Sequence, residues 1–357
     1  MVSKIKSWSG SSSWVLRQDQ EIWDIFTRRE ELNPKRLDRF GRFTYSLSQH
    51  KEILEPRVSK FLVEKGLRVE YPENKKFAVT LTHDVDDIYP PFTHKALSSV
   101  YLLKGLNFKE IVNLWQMKGK SRYINFEEIM NLEEEYDAKS TFYFMATDRD
   151  PVRFRYDIEE LEGQLNKIVD RDFEVGLHIG YYSFDKLEEI RKEKKRLEKV
   201  TGQEITGCRT HYLRFKVPDT WELLVRSGFR YDTTLGYNDM TGFRNGMCHP
   251  FKPFNLKTKK EIDIFEIPLN IMDGTLFAEM KLNFSEAWDI TKKLIDTTEK
   301  YNGVLTVLFH SMVFSCPFRR DWARLYEKIL RYCHERKAWM TSAKDLWRWW
   351  EDGCSDN

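Results

Sequence analysis

The chain has 357 residues, 41% of them hydrophobic and 14% aromatic, enough for one large domain with an addition or for two modest ones. Charged residues reach 32%, yet the signs nearly cancel at a net charge of +2, which excludes the basic stripe of a general nucleic-acid binder. Five scattered cysteines (Cys208, Cys248, Cys316, Cys333 and Cys354) include no CxxC pair and fit reduced thiols in a cytosolic protein rather than a disulfide frame.

Met1 to Arg17 is rich in Ser, Lys and Trp and lacks the apolar centre of a signal peptide. No apolar run has transmembrane length, so the expected location is the cytoplasm, with no membrane span. Residues 1–75 read as a small, mostly helical addition. Glu21 to Leu32 and Ile53 to Glu64 carry helical patterning, and Asn33-Pro34 and Gly41 break the segment between them.

Strand and helix signals alternate over residues 76–350. Phe77 to Leu81 is an apolar, β-prone run, followed by strands at 140–146, 172–178, 205–212, 229–234, 263–271, 304–309 and 338–341. The helices between them begin at Asn125, with Glu128 completing a capping box, and at Ser183 or Asp185, ending at Gly202. Further helices run from Pro218 to Ser227, from a Ser285 cap to Asn302-Gly303, and from Lys344 to Trp350. Such alternation predicts a parallel sheet, open or closed into a barrel. The charged run Arg191 to Arg196 reads as a solvated helix face, Trp347, Trp349 and Trp350 as a packing plug, and residues 351–357 as a tail.

The chemistry gathers where strands end. In Thr82-His83-Asp84-Val85-Asp86-Asp87, the two-residue period puts Asp84 and Asp86 on one face and His83 and Val85 on the other. Two carboxylates at that place could hold a metal with a base beside it. The plain alternative is an acidic turn in which Asp86 or Asp87 caps a helix. His178, in Gly176-Leu177-His178, follows a strand, where a lone histidine is usually structural. Arg209 and His211 share a strand face, and an arginine aimed into a barrel mouth needs an anion, for which Asp84 is the natural partner. Asp232 either braces Arg209 from the far side or caps a turn. His310 ends the most apolar strand, where partial burial would tune it for proton transfer near neutral pH. The loop Gly242 to Pro250, with Arg244 and its glycines, reads as a substrate-facing segment.

Taken in order, these motifs resemble the polysaccharide deacetylases, the nodulation-deacetylase homology family also called carbohydrate esterase family 4, over about residues 77 to 350. Thr82-His83-Asp84-Val85-Asp86 looks like the first motif in its Asp-x-Asp form, which implies Asp84 as base and Asp86 as metal ligand. Ser140 to Phe144 is similar to the family's Thr-Phe-Phe strand, and Gly176-Leu177-His178 to its metal-histidine motif. Arg209-Thr210-His211-Tyr212 resembles Arg-x-Pro-Tyr, with His211 in the proline's place. Asp232 resembles the acid of the fourth motif, and Leu308-Phe309-His310 the Leu-x-His that supplies the catalytic acid. The resemblance implies a distorted, incomplete (β/α) barrel of about seven parallel strands. It also implies metal-dependent removal of an N-acetyl group from an N-acetylated sugar or glycan precursor. Zinc is the metal that this ligand type suggests, and a backbone N–H near Tyr212 would face the oxyanion. The alternatives are a hydrolase of another non-peptide amide, or a non-catalytic glycan-binding protein.

Two departures stand out. Tyr182 occupies the position of the usual second metal histidine, and the fourth motif lacks its tryptophan. Catalytic zinc sites normally use three protein ligands. His211, the strand-mate of Arg209, is the expected third. A substrate hydrogen bond or a structural role is its alternative, and His249 is a weaker candidate ligand.

Overall fold

A computed structural model describes residues 12–116, 123–152 and 155–355. The first strand, β1 (Ala78–Val85), is buried along its whole length. It is followed by β2 (Thr141–Phe144), β3 (Glu174–Ile179), β4 (Gly207–Thr210) and β5 (Tyr231–Asp232). A small antiparallel pair, β6 (Phe254–Asn255) and β7 (Lys260–Glu261), stands apart. Then come β8 (Phe265–Glu266), β9 (Leu269–Met272), β10 (Val304–Leu308) and β11 (Trp339–Thr341).

The large sheet runs β8-β5-β4-β3-β2-β1-β10-β9, every pair parallel, with β11 alongside the first half of β1. This is the expected distorted, incomplete barrel. Its two edges, β8 and β9, are consecutive in the chain, separated by Ile267-Pro268. Pro268 has no N–H to give to a ladder, and the Ile267 N–H is already donated to the Asp232 carbonyl at 2.9 Å. The ring is therefore closed by the chain rather than by hydrogen bonds. The predicted strand at 263–271 is split at this point.

Alternation along the strands divides the molecule. Outward residues meet the surrounding helices in two large apolar cores. His83 goes outward, as the period predicts, and lies 2.8 Å from both Glu133 and the Phe309 carbonyl. Inward residues fill the barrel with polar groups. Tyr231 donates to the Glu174 carboxylate and Thr233 to the Tyr143 hydroxyl. The two tyrosines cross the interior over Gly207 and Gly176. A Cβ on Gly207 would stand 1.9 Å from the Tyr231 ring, and one on Gly176 would stand 2.5 Å from the Tyr143 ring. This tyrosine layer is the floor on which the residues at the strand ends rest.

Several local expectations shift. Asn125 precedes the helix Phe126–Glu134 but does not cap it. Its amide donates to the Ser311 carbonyl and the Ser315 hydroxyl, tying down the loop after His310. The cap of Phe284–Lys300 is Asn283, with Glu286, rather than Ser285. Within the helix Leu187–Thr201, Glu193 and Lys194 are buried, so the charged run is not wholly solvated. Glu193 turns inward to accept from the Gly180 N–H and the Ser183 hydroxyl. The last helix, Ala343–Ser355, continues past Trp350. Trp347 and Trp350 pack beneath the barrel with Tyr231 and Ala78. Cys208, Cys248, Cys316 and Cys333 are free and buried, whereas the Cys354 side chain and residues 1–11 lie outside the described set.

Residues 12–75 wrap the barrel. Helices Gln20–Phe26 and Arg57–Glu64 insert Ile22, Trp23, Phe26, Val58 and Leu62 into the core that also holds Met247, Phe251 and Phe254. Each such side chain contributes ~1.5–3 kcal/mol by leaving water.

Candidate active site

Strands β1, β3 and β4 deliver Asp84, His178 and Arg209 to one mouth, and Asp86, His211 and His310 join them from just past the ends of β1, β4 and β10, so His211 opens a turn rather than sharing a strand face with Arg209. Asp84 accepts from Arg209 Nη1 at 2.9 Å. His178 Nε2 lies 3.6 Å from Asp84 Oδ2 and 3.3 Å from Asp86 Oδ1. His211 Nδ1 lies 3.4 Å from Asp86 Oδ1 and 3.0 Å from His178 Nε2. His310 Nε2 is 3.7 Å from Asp86 Oδ2. These groups line a cleft of about 200 Å³ with Arg42, Tyr212, Leu213 and Met272. That is below the ~300–1,000 Å³ of pockets that engulf a drug-sized ligand. Hollows of about 550 and 810 Å³ elsewhere on the molecule do not contain this cluster of acids and histidines.

A hydrogen bond to the backbone fixes the tautomer of His178. His178 Nδ1 faces the Arg209 carbonyl at 3.1 Å. A carbonyl only accepts, so Nδ1 carries the proton and Nε2 presents a lone pair. That lone pair accepts from His211 Nδ1–H at 3.0 Å, while His211 Nε2 lies 3.3 Å from the Asp150 carboxylate without hydrogen-bond geometry. Asp86 Oδ1 is buried between the two imidazoles without hydrogen-bond geometry to either. A cation here would take the place of the proton between the imidazoles and give Asp86 Oδ1 a partner. Tetrahedral zinc with bonds of ~2.0–2.1 Å separates its donors by ~3.3 Å, close to the spacings found. Asp86, His178 and His211 are the one such three-donor cluster among the described residues. The residues therefore fit a divalent metal, with the Arg209 carbonyl and Asp150 as the outer partners that orient its ligands.

Burial pushes the Asp84 carboxyl up, but His178, Arg209 and His310 outweigh it and hold the group below its usual value. Asp86 is likewise raised by burial and held well below the carboxylate range by His211 and His178. His310 is opposed by its own desolvation, yet Asp273 raises it to about 10. The Asp273 carboxylate accepts from His310 Nδ1 at 2.7 Å and from the His310 backbone N–H at 2.8 Å. The arrangement offers an ionised base at Asp84, a protonated acid at His310 and a three-donor cluster between them.

Two expectations are corrected. Asp232 does not brace Arg209. It accepts from Thr234 and lies beside Glu266, its register neighbour on β8. Burial raises both carboxyls. Arg209 is held instead by the Thr233 carbonyl at 3.1 Å, by Thr82 at 2.9 Å and by the Tyr143 ring. Arg244 does not face the cleft. It is buried, ion-paired to Glu31, and joined through Glu31 to Arg28. His249 is buried away from the cluster, against Ser59 and the Asn302 carbonyl. Tyr182 is exposed.

Three residues at the site were not anticipated. Asp273 follows β9, an acid at a strand end like the others, and that position was its signal. Asp150 sits in an irregular loop after β2. Arg42 reaches the cleft from the N-terminal segment and donates to the Tyr212 carbonyl at 3.0 Å.

No protein-family model matches the chain. It is 28% identical over 250 residues to the peptidoglycan deacetylase of Helicobacter pylori, covering 61% of this chain and 81% of that one. A protein from Mycobacterium smegmatis, whose crystal structure is assigned to the polysaccharide deacetylases, superposes with a TM-score of 0.53 at 17% identity, over 78% of this chain and 92% of that one. The fold is that of the polysaccharide deacetylases. The family resemblance read from the ordered motifs stands on both comparisons. The strand ends of this fold are where Asp84, Asp86, His178, Arg209, His211 and His310 converge.

Proposed function

We propose that this protein is a metal-dependent carbohydrate deacetylase, acting on the N-acetyl group of an N-acetylated sugar or glycan precursor. The observation that carries the reading is the Asp86–His178–His211 cluster flanked by an arginine-held carboxylate and a carboxylate-held imidazole. Asp86, His178 and His211 would hold a divalent ion, zinc by donor type, which polarises an amide carbonyl and acidifies a water. Asp84, ionised and fixed by Arg209, takes the proton of the attacking water. The Tyr212 backbone N–H would donate to the oxyanion. His310, protonated at Nε2 because Asp273 holds Nδ1–H, delivers a proton to the departing nitrogen.

The test is acetate release from N-acetylglucosamine oligomers by the purified chain. It should cease after chelation and return with zinc or cobalt. Turnover that ignores the chelator, or metal-loaded protein inert on every N-acetylated sugar offered yet active on other amides, overturns the reading.

A further inference from the structure

Between β1 and β2 the chain leaves the barrel in a helical hairpin, Phe92–Lys104 and Phe108–Gln116, joined at Gly105-Leu106-Asn107. The two helices hold each other. The rings of Phe92 and Trp115 lie 5.7 Å apart, and Trp115 Nε1 donates to the Ser99 hydroxyl at 3.0 Å. The first helix is apolar around most of its circumference, a pattern proper to a buried helix. Yet Phe92, Leu97, Val100 and Leu103 all face outward. On the second helix Phe108, Val112 and Trp115 fall at i, i+4 and i+7, and this stripe is exposed too. Leu106 at the tip is 77% exposed, in a left-handed conformation (φ 53°) that favours Gly or Asn. Folding alone gives no reason to hold a leucine out there.

The charges name the partner. Residues 92–116 hold Lys95, Lys104 and Lys109 against a single acid, Glu110. The hairpin alone thus carries 3 − 1 = +2, equal to the net charge of the whole chain. We propose that this hairpin seats the protein on an anionic lipid bilayer, with Leu106 and the Phe108-Val112-Trp115 stripe in the headgroup–acyl boundary and the lysines at lipid phosphates. A second copy of the chain fits less well, because it would oppose one basic hairpin with another. No described helix is long and apolar enough to cross a membrane, so the contact lies on the surface. The inference is independent of the deacetylase reading.

The test is flotation of the full chain with vesicles of phosphatidylcholine, with and without phosphatidylglycerol. The protein should float with the anionic vesicles alone, and high salt should weaken binding by about tenfold or more. The double variant Leu106→Glu/Phe108→Glu should lose binding by at least about tenfold while keeping the wild-type melting temperature and metal affinity. Four results overturn the proposal: no flotation, equal flotation with neutral vesicles, binding that survives the double variant, or a self-association that the double variant abolishes. The last would make the face a dimer interface.

Discussion

Replacing His211 by Ala tests how the proposed metal site is built. The cluster has three protein donors, and His211 supplies one of them from the end of β4. Asp150 stands 3.3 Å from the His211 Nε2. Loss of an outer partner typically costs ~10–100-fold in metal affinity, so Asp150→Asn should fall in that range. Loss of the donor itself must exceed it, so His211→Ala should weaken zinc binding by more than about 100-fold and match His178→Ala. Tyr182→Phe should leave affinity unchanged, because the exposed phenol does not reach the cluster. Competition titration with a chromophoric chelator reads all four variants without any substrate. Full zinc affinity in His211→Ala, or a large loss in Tyr182→Phe, would show that the ligands come from the helix side and would refute the Asp86–His178–His211 assignment.

The other predictions concern the base, the acid and the N-terminal wrap. Asp84→Asn should retain metal and lose turnover by ~10²–10⁴-fold; activity within a few-fold of wild type removes Asp84 from the proton transfer. Asp273→Asn should move the alkaline limb of the rate profile down by ~1–3 pH units. The sign follows from a raised imidazole, protonated below its value of about 10 and deprotonated as pH rises through it, so the variant's deficit should shrink toward pH 6. A uniform loss at all pH values would mean that Asp273 only holds the loop. Arg244→Met leaves Glu31 buried beside one arginine rather than two, and should destabilise the fold by ~3–5 kcal/mol with zinc affinity intact. A metal or KM defect without loss of stability would return Arg244 to the cleft.

The parts legible in the sequence were those governed by a local period. Asp84, Asp86, His178, Arg209, His211 and His310 end apolar runs, and the two-residue alternation says which way those on the strands point. Asp273 is reachable by the same logic, but a strand over 263–271 stops one position short of the end of β9 and two short of Asp273. A register shift on β10 opposite β9 and the split around Pro268 disguise the run there. Arg244 and Glu31 are 213 positions apart, and their pairing was invisible because nothing local distinguishes a buried arginine from a substrate-facing one. Asp232 failed differently. Its place on β5 was right, but its neighbour Glu266 is supplied by a strand too short to show a period.

The strand β4 end serves several functions at once. The Arg209 side chain holds the base, the Arg209 carbonyl fixes the tautomer of His178, and His211, two positions on, completes the donor set. Where a second histidine four residues after His178 would come from the segment leading toward the helix Leu187–Thr201, this chain has Tyr182, and the third donor of the cluster comes from the tight turn that directly follows β4. Tyr212, the next residue, adopts a left-handed turn (φ 61°), and Arg42 reaches across from the N-terminal wrap to hold its carbonyl. The wrap therefore supports the turn that places His211, which links residues far from the barrel sequence to the geometry of the Asp86–His178–His211 cluster.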